Sequence, residues 1–594
     1  MGERLSPLRR TLILIIGIIL LAAFLIWGNG QKATLEVEVL GRGTVDPPAK
    51  TFTESEEVTL TAEPETGWIF YRWHYEEKYQ EREQKLTVSM NENRYIKAVF
   101  IPENKEIFPD SNFETLIREK IEDAADFLLP SDVVNIKYLE GNEREIASIA
   151  GIEYLFNLEG LYLSNNRINN LDPISSLDGL TWLDVSGNQL DDLEALSSLT
   201  ALSWLELSNN YIKDLAPISH LVELEGLLLN SNQISDLNPL SELKKLGLLN
   251  LNHNLIEGLS PLENLERVIW LHLEDNLIED VSSLSRIDTV KWLYLGDNRI
   301  KSIEPLSSME SLESLQLDNN QIEKIEPLSK APLLKRLFFR NNEIKKLKIS
   351  SGFENIEIID GAYNNIEEID FSNLENLEFI NMPGNKIDEL AFLSDCDHIT
   401  GLNLADNYLV DISILANLNK LSFLDLSFNQ IADLNALKTL LNLNDLKVNH
   451  NQIKDITPLS GLKNLKYLEI GNNKIEDVSP LKELASLEQL FLNNNRIHSV
   501  FPLSSLTALR KLYLFHNRIT DISPLASLIN LNDLWLSDNL ISTIGPLVER
   551  QEFGRQNLRL ILTYNNLNLD DSKELGYLET MQERGVLLDY RPQK

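Results

Sequence analysis

At 594 residues the chain is too long for one compact core, so several domains or an elongated repeat are expected. Asp and Glu outnumber Lys and Arg 90 to 54, and the resulting net charge of -36 repels nucleic acid and anionic lipid, which both need a positive footprint. The single cysteine, Cys396, excludes an intramolecular disulfide and any zinc or iron–sulfur site built from cysteines.

Residues 1–10 carry Arg4, Arg9 and Arg10, and an uncharged, mostly apolar run follows at residues 11–27, opening with Thr11 and closing with Trp27. As a helix this run spans roughly 26 Å, slightly short of a ~30 Å hydrocarbon core. It exceeds the ~7–15 residues of a signal-peptide core. Arginines precede it and only Lys32 closely follows. The expectation is one transmembrane signal-anchor helix, with residues 1–10 as a cytoplasmic tail and the bulk of the chain outside the cell membrane. A cleaved signal peptide is the alternative. Gly28-Asn29-Gly30 offers a cleavage site, and the protein would then be secreted.

Residues 33–101 are rich in β-branched and turn residues and read as short strands punctuated by Gly and Pro. Gly43-Thr44-Val45, the run from Val58 to Ala62, Pro64, Gly67, Phe70, Trp73 and Ala98-Val99-Phe100 resemble a small bacterial β-repeat module of surface proteins, a divergent relative of the internalin B-repeat. His74 stands where that module usually has glycine. Trp68 and Trp73 are read as core, because a domain of ~65 residues needs large aromatics to bury enough surface.

Residues 107–155 have helical spacing at their start. Asp110 and Ser111 suit a cap, and Phe113, Leu116, Ile117 and Ile121 fall on one face. This segment is read as a helical N-terminal cap.

From residue 156 to 566 the pattern LxxLxLxxN recurs about nineteen times. Its asparagines are Asn166, Asn188, Asn210, Asn232, Asn254, Asn276, Asn298, Asn320, Asn342, Asn364, Asn385, Asn407, Asn429, Asn451, Asn473, Asn495, Asn517, Asn539 and Asn566. The step is 22 residues, except 21 into Asn385 and 27 into Asn566. Each unit reads as a strand, an asparagine turn and a segment like IxDIxPLSxLxxL. One unit cannot bury its leucines alone, whereas stacking makes a continuous core with one parallel strand per repeat. The expected fold is an α/β repeat solenoid, a leucine-rich repeat horseshoe with a parallel β-sheet on its concave face. Residues 567–594 read as a C-terminal cap, with Asp570 and Asp571 starting a helix before a final strand.

The 22-residue unit with PLSxL, and GIEYLFNL from Gly151 to Leu158 after the acidic helical segment, resemble the leucine-rich repeats of internalin-type bacterial surface proteins. The resemblance implies recognition of another macromolecule on the concave face. Internalins commonly carry modules and a wall-anchoring signal after the repeats. Here the sequence ends, so anchorage is expected at the N-terminus.

The chemistry-bearing residues read as structural. The asparagine amides suit loop backbone groups inside the solenoid. Cys396, in SDCDH, aligns with the core leucine Leu462 and is expected to be a small buried hydrophobe. No Gly-rich phosphate loop, His-Glu metal motif or nucleophile elbow occurs. No catalytic residue, metal site or cofactor is expected. The main enzymatic alternative, a bacterial ubiquitin-ligase-like protein, would need a reactive cysteine in a separate helical domain. The repeat loses regularity near residues 350–389, where PLS is missing after Asn342 and Asn364 and Gly361 replaces a core aliphatic.

The outward strand positions carry the functional signal. They hold Tyr162, Trp182, Asp184, Trp204, Glu206, Trp270, His272, Trp292, Tyr294, Phe338, Phe491, Tyr513 and Trp535. Ser, Thr, Asn, Lys and Glu would suit a merely solvated face, and side-by-side stacking could also stabilise neighbouring strands. Exposed aromatic patches on rigid scaffolds are enriched at recognition sites. Trp182/Trp204 and Trp270/Trp292 are predicted to form pairs about 5 Å apart, the spacing of neighbouring strands. The expected function is a membrane-anchored, cell-surface binding protein with a protein partner and no nucleic-acid partner. Cell-wall glycan binding, with indole on pyranose, and a passive surface spacer are the alternatives.

Overall fold

The computed structural model describes residues 32–594, apart from residues 49, 54–55, 76–78, 82, 103–106, 122–127, 129 and 555–556. The expected membrane-crossing run at residues 11–27, and the tail before it, lie outside the described residues. Among the described residues no helix is long and apolar enough to cross a membrane. The chain divides into two compact units, one of residues up to 137 with 148–158, the other of 138–147 with 159–594.

The first unit contains a five-stranded and a three-stranded sheet. Strict alternation explains their pairing into a core. In Glu57–Pro64, Val58, Leu60 and Ala62 are buried while Glu57, Thr59 and Glu63 are exposed. Trp73 is fully buried, and its Nε1 donates to the Glu83 carbonyl at 3.0 Å. Phe70 packs on it and on Phe100, with centroids 5.2 and 5.5 Å apart, and Trp68 packs partly buried against the same core. This unit also holds the helix Ser111–Glu119. Asp110 caps it by accepting from the Asn112 and Phe113 amides at 3.0 Å, and Phe113, Leu116 and Ile117 are buried.

Residues 107–155, read from the sequence as a helical N-terminal cap, divide in the structure. The strand Tyr138–Glu140 belongs to the second unit and pairs in parallel with Gly160–Tyr162, Leu139 opposite Leu161. From there the three-residue strands pair one after the next, in constant register, to Leu587–Asp589. From Leu139 to Leu560 the central aliphatic of each strand is buried, in most repeats together with the one two residues on, as with Leu183 and Val185. Short 3-10 turns such as Thr457–Gly461 return the chain, with proline in their first turn and Leu459 buried.

The asparagine amides close the backbone accounting. Asn188 Oδ1 accepts from the Ile168 amide at 2.9 Å, and its Nδ2 lies 2.9 Å from the Leu163 carbonyl and 3.1 Å from that of Val185. Such buried carbonyls and amides would otherwise lack partners, since they fall at bends where the ladder breaks. The last member is Asn565, not Asn566. Asn565 serves the Ile541 amide and the Leu536 and Leu562 carbonyls, following the spacing from Leu560 and Leu562.

The irregular middle is built differently. In place of 3-10 turns, Lys346–Ile349 and Glu368–Phe371 form a separate two-stranded parallel sheet, with ion pairs Lys346–Glu368 at 2.8 Å and Lys348–Asp370 at 3.6 Å. Gly361 leaves no gap, because the fully buried Phe339 ring fills its side-chain space; a Cβ on Gly361 would meet Phe339 Cε2 at 2.4 Å. Cys396 is buried, and burial followed by the charges of Asp395 and Asp397 pushes its thiol up to about 11. That leaves it protonated and unreactive at neutral pH.

Candidate binding face

Every predicted contact residue lies on a strand, at one of the two positions flanking a buried aliphatic. The pleat therefore turns all of them to the side opposite the leucine core. Constant register then brings residues 22 apart side by side. Trp182 and Trp204 stack with centroids 4.7 Å apart and planes 7° from parallel, and Trp270 and Trp292 with 5.0 Å and 6°. His272 and Tyr294 stack beside the second pair at 4.3 Å. Tyr162 tilts towards Trp182 at 6.2 Å. Trp270 is 39% exposed, while the other predicted residues are half-buried.

The residues fall into three groups. Tyr162, Trp182, Asp184, Trp204 and Glu206 form the first. After the strands Gly226–Leu228 and Leu248–Asn250, Trp270, His272, Trp292 and Tyr294 form the second. Phe491, Tyr513 and Trp535 form the third, with Phe491 edge-on to Tyr513 at 4.8 Å and Tyr513 stacked on Trp535 at 4.7 Å. Phe338 stands apart from all three, its strand neighbours being Gln316 and Asp360.

Two members of the third group escaped the sequence reading. Asp533 accepts from Trp535 Nε1 and from the Tyr513 hydroxyl, both at 2.7 Å, and the Arg559 guanidinium lies 5.3 Å over the Trp535 ring. Asp533 was legible as the residue two before Trp535 on the same face. Arg559 was hidden by the longer step between the last repeats. Burial first, then Asp533, pushes the Tyr513 hydroxyl up to about 12.

Three carboxylates on or just past these strands, Glu206, Glu274 and Asp318, feel the same half-burial. Burial raises Glu206 above the usual range, with Asp184 adding to it against hydrogen bonds from Ser208. Burial likewise raises Glu274, with Asp297 adding to it, and raises Asp318, with Asp360 adding to it. Burial lowers His272, so its ring is neutral at pH 7. Among the described residues no group of three or more His, Cys, Asp or Glu is placed to hold a metal ion. The face offers stacked aromatics and half-buried carboxylates.

Comparison with known proteins agrees with this architecture. Models of leucine-rich repeats match residues 156–212, 288–330, 441–483 and 507–549, and the divergent InlB B-repeat domain matches residues 33–104. No curated protein matches the chain. Among solved structures, internalin C2 of Listeria monocytogenes is 32% identical, covering 36% of this chain and 94% of its own, with a TM-score of 0.35. The internalin InlF of the same organism is 28% identical, covering 68% of this chain and 94% of its own, with a TM-score of 0.35. The ectodomain of the Arabidopsis thaliana receptor kinase GASSHO1/SCHENGEN3 is 22% identical, covering 78% of this chain and 59% of its own; its TM-score of 0.57 marks a shared repeat fold. On the family-model matches and the sequence identity along nearly all of internalin C2, the chain belongs to the internalin-type leucine-rich repeat proteins, with a divergent B-repeat domain ahead of the repeats.

Proposed function

We propose that this chain is a cell-surface binding protein that recognises a protein partner through the aromatic and acidic face of its repeat sheet, the concave face of the solenoid. Residues 11–27 anchor it in the cell membrane with the repeats outside. The observation that carries the reading is the pair of coplanar tryptophan stacks, Trp182/Trp204 and Trp270/Trp292, set on the side of the sheet away from the leucine core. Clustered aromatics on a rigid scaffold are the usual anchors of protein interfaces. The resemblance to internalin-type repeats supports the same reading.

The glycan alternative requires an open indole face for a pyranose ring. Trp204 has Trp182 on one side and Gly226 on the other, and Trp270 and Trp292 cover each other. Stacking covers one face of each ring in a pair, which reduces the indole surface left for a sugar. A passive spacer gains nothing from half-buried carboxylates that cost it stability.

Photo-crosslinking tests the proposal. A photoreactive residue replaces Leu248, between the two tryptophan pairs, and in a second protein replaces Val222, which is 46% exposed and off the strands. On exposure to cell-surface protein and glycan fractions, protein adducts are expected from position 248 alone. Equal adducts from both positions, or glycan adducts from 248, would overturn it.

A further inference from the structure

The acidic groups of this face are not evenly neutralised. The strands from Trp182–Asp184 to Trp292–Tyr294, and the residue two past each, carry no lysine or arginine. Glu206 accepts from the Ser208 amide at 3.1 Å and Glu274 from Asn252 Nδ2 at 2.7 Å, both neutral donors. Asp297 likewise takes a neutral amide, Asn319 Nδ2, at 2.9 Å. Further along, cations accompany the carboxylates. Arg340 pairs with Asp360, and Lys447 stands opposite Asp425 over the Phe423 and Tyr467 rings at 5.5 Å. The uncompensated stretch coincides with both tryptophan pairs. None of the four indole N–H groups has a hydrogen-bond partner among the described residues, whereas Trp535 Nε1 is satisfied by Asp533.

Resting on the reading that the face binds a protein, we propose that its N-terminal half takes a basic, extended segment of that partner. Lysine or arginine side chains meet Asp184, Glu206, Glu274 and Asp297 along the two tryptophan pairs, and the indole N–H groups are free to donate to backbone carbonyls of the segment. Charge complementarity selects this occupant, since a neutral or acidic segment would leave half-buried carboxylates without a cation or set like charges together. The upward displacement of the Glu206 and Glu274 carboxyls has the same origin, a burial cost that a bound cation offsets.

The test is selection of a random dodecapeptide library on the full chain, followed by affinity measurements of the enriched peptides. Basic peptides are expected. The double variant Glu206→Gln/Glu274→Gln should weaken them at least tenfold with an unchanged or higher melting temperature. Glu310→Gln/Glu323→Gln, two exposed carboxylates outside the strands, should change affinity less than twofold. Enriched peptides without net positive charge, no enrichment at all, or equal losses in both double variants would each overturn the proposal. A protein crosslinked from position 248 whose affinity survives Glu206→Gln/Glu274→Gln would overturn it while leaving the binding function standing.

Discussion

Trp204 occupies the space above Gly226: a Cβ on that glycine would come 2.3 Å from the indole Cε3. Phe379 covers Gly401 in the same way, at 2.4 Å. The bare backbone of Gly226 is the floor on which the Trp182/Trp204 stack is set. Gly226→Ala is therefore expected to displace Trp204, at a cost of about 1–3 kcal/mol for overpacking. Near-ultraviolet circular dichroism reads the displacement directly. An unchanged aromatic spectrum would mean that the stack does not depend on the glycine.

Phe339 and Gly361 form a matched pair inside the solenoid. Phe339→Ala is expected to cost about 3–5 kcal/mol, as for other buried phenylalanines. Adding Gly361→Leu returns volume from the other side, so the double variant should be more stable than the sum of its parts by about 1 kcal/mol or more. Urea unfolding of the four proteins measures the coupling. Strict additivity would show that the two positions do not share one space.

Glu206 carries a pH signature. Its folded-state pKa lies above the unfolded value, so the folded state holds the proton more tightly and ionisation costs stability. That penalty is complete above the raised folded pKa and absent below the unfolded value near 4.5. Glu206→Gln should raise the melting temperature at pH 7.5 and leave it nearly unchanged at pH 4. A loss of stability at pH 7.5 would show that the carboxylate is held favourably.

Residues 11–27 make the localisation testable. The protein should pellet with membranes and resist extraction by high salt or carbonate, leaving only with detergent. A mature chain free in the medium, beginning near Gln31, would contradict the anchor.

Membership of the face was legible in the sequence because a period of two assigns Trp182 and Asp184 to one side, and a constant step of 22 sets Trp182 beside Trp204. Tyr138–Glu140 was not legible as a strand of the sheet. GNER follows it, so Arg144 stands where the ladder asparagine belongs, although the Ile146 amide is served by Asn166 of the next repeat just as that of Ile168 is by Asn188. Asn565 and Asn566 are both asparagines after a lengthened unit, and only the inward turn of Leu560 and Leu562 separates them. The filling of Gly361 by Phe339 depends on side-chain packing between repeats, which no single repeat encodes. The neutrality of the partners of Glu206 and Glu274 likewise appears only when strands are set side by side.

The most direct measurement replaces Trp182, Trp204, Trp270 and Trp292 with alanine and compares partner affinity with melting temperature. The side chains point away from the leucine core, and each stack contributes about 0.5–1.5 kcal/mol beyond the area it buries, small against the solenoid as a whole. Interface anchors of this kind are each worth about 2 kcal/mol or more when truncated. The account predicts at least a tenfold loss of affinity for the crosslinked partner with only a small shift in melting temperature. Unfolding of the solenoid, with the affinity of the remaining folded fraction intact, would contradict it and make the tryptophans strand-stacking residues.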